Sequence, residues 1–225
     1  FFRYFDGFFV YGFFLAWAKE DLKDMFDPNI RDTAKRDFGY WEAMWRRNLV
    51  GDKAERMIPK VFSLSLRVPK FLEKFPDAKI LYMARDPLST VPSGLSLVTG
   101  VLDGAFGFWK LPEEKRARYI ERLYQGFLSL SLGFQDDYVN GRIPKENIKL
   151  VTFDRLMQDF DNLMLEIVEF LGEEPSAELV EKIKETAEKQ RNYKSGHKYD
   201  FAKFGIDEER VKRDYAPFYK AFLSQ

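Results

Sequence analysis

Two short apolar stretches decide what this chain can fold into. Ile80-Leu81-Tyr82-Met83-Ala84 runs without interruption into Arg85-Asp86-Pro87, and a second such stretch, Ile148 to Phe153, follows the turn Pro144-Lys145-Glu146-Asn147. Strands that are apolar on both faces belong inside parallel sheets covered by helices. Parallel strands need a long crossover between them. Here the interval holds a glycine-punctuated segment (Gly94, Gly100, Gly104, Gly107) and then a helical pattern from near Pro112 towards Tyr138. Tyr119, Leu123, Phe127, Leu130 and Phe134 recur on that helix's core face. The alternation of strand and helix predicts an α/β domain with a parallel sheet flanked by helices.

The remaining pattern fills in around that frame. Tyr40 to Val50 reads as a helix, with Trp41, Met44, Trp45 and Leu49 on one face. Met57 to Phe62 reads as a strand running into a loop, and Ser65 to Phe75 as a helix with Pro69 in its first turn. A helix from Gln158 to Leu171 stops at Gly172, Ser176 caps the next, and Asp207 starts a last one after a basic, irregular stretch over 191–205. No internal repeat or flexible linker interrupts the chain. The division expected is an aromatic-rich helical segment over 1–39 and an α/β domain over 40–225.

Composition narrows the chemistry. The 225 residues carry 36 basic and 36 acidic side chains, which removes the bulk electrostatic signature of a nucleic-acid binder. There is no cysteine, so disulfides, thiolate metal sites and a cysteine nucleophile are excluded, and the composition leans to a reducing compartment. The single histidine, His197, has no second imidazole to share a metal, and no metal site is expected. Aromatics reach 17%, and ten of them crowd residues 1–18. The uncharged run from Gly7 to Ala18 is too short to span a bilayer. It reads as a buried or interface helix, with a protein partner or a membrane surface as the other reading. No GxxxxGK[ST], GxGxxG or GxSxG motif is present.

The segment Lys79 to Leu97 (KILYMARDPLSTVPSGLSL) carries the chemistry. Arg85 stands at the end of a strand, and Ser93 follows eight residues later on the next helix. Ligands of open α/β sheets bind beyond the carboxyl ends of strands. A guanidinium and a helix hydroxyl in those positions suit one phosphate. Spacing alone favours the other reading, in which Arg85 pairs with a carboxylate such as Asp86 or another helix-end acid.

This segment resembles the 3′-phosphate-binding signature of sulfotransferases that use 3′-phosphoadenosine 5′-phosphosulfate (PAPS), in a bacterial-type branch of that family. Residues 57–76 (MIPKVFSLSLRVPKFLEKFP) resemble its Lys-Ser-Pro segment, with Lys60 on the lysine, Val61-Phe62 replacing Ser-Pro, and Ser65 on the usual threonine. Ile148 to Gly172 resembles its second diagnostic strand and following helix, with Phe153-Asp154-Arg155 where Tyr-Glu-Asp is usual. Gly196-His197-Lys198-Tyr199-Asp200-Phe201 with Phe204-Gly205-Ile206 resembles its C-terminal pattern. The likeness covers roughly residues 40–215.

What the resemblance implies is a P-loop-NTPase-like sulfotransferase fold and transfer of a sulfuryl group from PAPS to an acceptor hydroxyl or amine. The acceptor would be a small molecule, carbohydrate or peptide. Lys60 would stabilise charge on the leaving phosphate, and Arg85 and Ser93 would hold the 3′-phosphate. Phe153 would face the adenine without the usual tyrosine hydroxyl. Arg191, Lys194, Gly196 and His197 would belong to a lid over the nucleotide; the other reading of 191–198 is a solvated basic loop. The family's first strand and phosphosulfate loop have no counterpart in residues 1–40, so they are expected before Phe1 or lost from the protein. Their absence motivates an alternative: a non-catalytic sulfotransferase-fold subunit with an assembly role in a larger, membrane-associated complex.

Overall fold

The computed structural model of the chain describes residues 7–191 and 200–224. The described residues fall into two compact units, one within 1–76 and 93–140, the other within 77–92 and 141–225.

The first unit is helical. It holds α1 (Gly7–Phe14), α2 (Ala34–Asp52), α3 (Val68–Lys74), all but the first turns of α4 (Pro87–Phe106), and α5 (Glu113–Val139). On α5, Tyr119, Leu123, Leu130 and Phe134 are buried as the periodicity predicts, and Ile120 and Tyr124 widen the face. Pro112 supplies the N-cap, one position outside the helix. Residues 11–18 pack on this helix. Tyr11 and Leu15 are buried, Tyr119 donates to the Gly12 carbonyl at 2.7 Å, and Arg122 donates to the Ala18 carbonyl at 3.0 Å. Phe14 and Trp17 stay exposed. No helix among the described residues is long and apolar enough to cross a membrane.

Four local readings change in this unit. Helix α2 starts at Ala34 rather than Tyr40, its first amide held by the Asp32 carboxylate at 3.0 Å. Residues 57–61 form no strand but an irregular approach to a 3-10 turn at Phe62–Leu66. The helix read from Ser65 begins only at Val68. Pro69 is its second residue, and a proline ring clashes with the carbonyl four residues back, so helix cannot extend upstream. The glycine-punctuated segment is one 20-residue helix, α4, running unbroken through Pro92. Gly133 of α5 allows a close approach: a Cβ there would lie 2.1 Å from Leu66 Cδ2 in the 3-10 turn.

The second unit contains the sheet. Strands β1 (Ile80–Ala84) and β2 (Ile148–Thr152) pair in parallel, Ile80 opposite Ile148 and Ala84 opposite Thr152. The parallel sheet is as expected, and the chain is far richer in helix than in strand. The reading of β1 as buried on both faces is corrected. Leu81 and Met83 are 44% and 46% exposed, because successive side chains alternate and only one face turns inward. Helices α6 (Phe153–Gln158), α7 (Phe160–Phe170) and α8 (Ala177–Arg191) follow β2. Leu163 and Ile167 of α7 pack on Val151 of β2. The helix read over 158–171 is α7; the short α6 before it is not read from the sequence pattern, and β2 ends one residue earlier than read because Thr152 caps α6 by accepting from the Arg155 amide at 3.3 Å. Gly172, at φ 74°, ends the α7 region, with the Glu173 amide returning to the Val168 carbonyl at 3.1 Å. Ser176 accepts from the Leu179 amide at 3.1 Å and opens α8. The last helix divides into α9 (Glu208–Asp214) and α10 (Ala216–Phe222) at Tyr215, next to Pro217.

Candidate functional site at the end of the sheet

Beyond the carboxyl end of β1 each residue of Arg85-Asp86-Pro87 has a separate task. Pro87 is the first residue of α4, where a missing N–H costs nothing. Asp86 caps the helix: its Oδ1 accepts from the Leu88 amide at 2.9 Å, and its carbonyl accepts from Ser89 and Thr90. The same Oδ1 accepts from the Tyr219 hydroxyl of α10 at 2.5 Å. Burial, then the Asp86 carboxylate, raises the Tyr219 pKa, so the phenol remains a donor through the neutral range.

Arg85 is half-buried, and its guanidinium lies over the Phe153 ring with 4.1 Å to the ring centroid. Such a contact stabilises by about 0.5–1 kcal/mol at a partly exposed site and fixes the plane of the cation. Phe153 is the first residue of α6, immediately after β2. Both strands therefore deliver their next-door residues to one place. Arg155 pairs with Glu166 and with Asp159, and Lys149 reaches Glu166 at 3.1 Å. Arg155 first, then Lys149, holds the Glu166 carboxyl down at about 2.

Of the residues named from sequence, the structure brings Arg85 and Phe153 into contact. Ser93 lies half-buried on the second turn of α4 and belongs to the first unit. Lys60 is exposed in that unit too, beside a cleft of about 130 Å³ lined also by Trp41, Trp45, Met57 and Val61. Arg191 ends α8 and pairs with Asp161 at 3.3 Å. Lys194, Gly196 and His197 lie outside the described residues. No group of three or more acidic or histidine side chains among the described residues is placed to hold a metal. Tyr219 was not legible: it is 133 residues from Asp86, and nothing in the local pattern of α10 marks it.

The arrangement offers an oriented cation at the carboxyl edge of a parallel sheet, where α/β folds bind ligands. The Phe153 ring beside Arg85 provides an apolar face and no hydroxyl. The sequence profile of the sulfotransferase family matches residues 19–177. Sulfotransferase 2A1 of Macaca fascicularis is 29% identical over 140 residues, 59% of this chain and 46% of that protein, so the match spans about half the relative's length. No solved structure matches the chain. With the profile running through α2, both strands and α7, this chain belongs to the sulfotransferase family.

Proposed function

We propose that the chain carries the 3′-phosphate-binding part of a sulfotransferase that uses PAPS and acts on the hydroxyl or amine of a small molecule, carbohydrate or peptide. The supporting observation is Arg85, seated at the carboxyl end of β1 and oriented by the ring of Phe153. PAPS supplies the sulfuryl group, whose bond to the 5′-phosphate breaks as a bond to the acceptor forms. In this reading Arg85 and Ser93 hold the 3′-phosphate that marks PAPS among adenine nucleotides. Phe153 faces the adenine. Lys60 donates towards the oxygen on which charge develops, an interaction worth most in the transition state. Arg191, Lys194, Gly196 and His197 close over the nucleotide. A P-loop-NTPase-like arrangement of the whole protein and the division at residues 39/40 belong to the same proposal.

Asp86 already satisfies the Leu88 amide and adds a negative charge, so an anion at this corner depends on side-chain cations more than on the helix terminus. Calorimetry on the full-length protein tests this with adenosine 3′,5′-bisphosphate and adenosine 5′-monophosphate. The bisphosphate binds more tightly, and Arg85→Ala abolishes that preference. Loss of a charged hydrogen-bond partner, about 1.5–3 kcal/mol, corresponds to about ten- to a hundredfold in affinity. Undetectable binding of the bisphosphate at millimolar concentration overturns the reading.

A further inference from the structure

Helix α10 grips the end of β1 on both sides of Arg85. Upstream, Phe222 packs its ring against Tyr82 of β1, centroids 5.8 Å apart. Downstream, the Tyr219 hydroxyl donates to Asp86 Oδ1 at 2.5 Å, sharing that oxygen with the Leu88 amide. The helix is itself well anchored. Phe218 and Phe222 are buried, their rings meet at 4.9 Å, and Tyr215 at its start is buried against Phe218. The two grips therefore span the residues 82–86, and Arg85 lies between them.

The bond has a further effect on charge. Asp86 is the immediate neighbour of Arg85, and its carboxylate would compete with a phosphate for the guanidinium. A donor from α10 and the cap bond to Leu88 together hold that carboxylate in the direction of α4. Tyr219 is half-buried and Asp86 exposed, so the bond sits at the surface end of the corner.

We infer that Tyr219 is a positioning residue for 3′-phosphate recognition, acting through Asp86 to hold the Arg85 corner in its binding geometry. This rests on the reading of Arg85 given above. It adds a residue from the far end of the chain, on an element with no direct role in that reading.

The test is Tyr219→Phe in the full-length protein, alone and combined with Arg85→Ala, titrated with adenosine 3′,5′-bisphosphate and with adenosine 5′-monophosphate. Tyr219→Phe weakens the bisphosphate about fivefold, leaves the monophosphate unchanged, and shifts the melting temperature by no more than about 2 °C. In the Arg85→Ala background it changes neither nucleotide, because the residue it acts through is gone. A general structural role moves both nucleotides together, and that result overturns the inference. So does a preference for the bisphosphate that Tyr219→Phe leaves undiminished. If the wild-type protein shows no such preference, the reading of Arg85 itself fails, and the inference with it.

Discussion

Arg67→Met provides a sharp test of how the segment carrying Lys60 is held. Arg67 stands immediately before α3, and its Nη1 donates to Asp37 Oδ2 on α2 at 2.8 Å. The two side chains are 9% and 6% exposed. Asp37 also accepts from the Thr33 hydroxyl at 2.6 Å and from Arg36 at 2.8 Å. Methionine keeps most of the apolar stem and removes the charge, leaving a buried carboxylate short of one donor. Breaking a buried pair by removing one partner costs about 3–5 kcal/mol. Thr33 and Arg36 remain in place, so about 3 kcal/mol is expected, or about 6–12 °C in melting temperature for a chain of this length. The flanking pairs Lys70–Asp32 and Lys74–Glu42 are exposed and contribute little. Urea unfolding followed by tryptophan fluorescence reads the right unit, because all four tryptophans (Trp17, Trp41, Trp45, Trp109) lie in it. The control is Asp37→Leu with Arg67→Met, in which no uncompensated charge is left inside. That double variant is more stable than the sum of the single losses by about 2 kcal/mol. A cost for Arg67→Met below about 1 kcal/mol, or strict additivity, refutes the argument.

Three further outcomes follow from the same geometry. Glu166 titrates at about 2 in the folded chain against an ordinary 4.5, so its pairs stabilise above that ordinary value and fade as pH falls towards the folded one. Glu166→Gln is accordingly less stable than wild type near neutrality, and thermal melts down the acid range show the gap closing; a constant gap contradicts the assignment. Phe153→Leu removes the ring beneath Arg85 and weakens adenosine 3′,5′-bisphosphate by about two- to fivefold in calorimetry. An unchanged affinity means that the stacking does not orient the cation. Lys60→Ala lowers the rate of sulfuryl transfer by about a hundredfold or more while bisphosphate affinity is retained. Wild-type turnover in a labelled-PAPS assay removes Lys60 from the chemistry.

The legible parts of this fold are those set by residues close in sequence. Pro112, Ser176, Asp207 and Gly172 announce helix ends because capping depends on one or two side chains and a local backbone angle. The core face of α5 is legible because buried residues recur at the helical period. The errors fall where distant packing chooses between local options. Gly100 and Gly104 read as interruptions, yet both are absorbed into α4. Residues 57–61 carry strand-like side chains but find no partner strand, and Pro59 removes a ladder donor. Leu81 and Met83 read as core and stand exposed, since composition alone does not say which face of β1 is covered.

The candidate site divides along the same line, and the division bears on how it works. Helix N-termini commonly receive phosphates on their free amides. On α4 that capacity is reduced three times over: Pro87 has no N–H, Asp86 takes the Leu88 amide, and the Asp86 carboxylate repels an anion. In the proposed reading Arg85 carries the attraction at this corner, and its orientation matters more than it would in a nest of amides. Two contacts set that orientation or its surroundings, and neither is local. Phe153 comes from the other strand and Tyr219 from the far C-terminal helix. An arginine at a strand end is therefore readable from sequence, whereas the contacts around it appear only once β2 and α10 have been folded beside it.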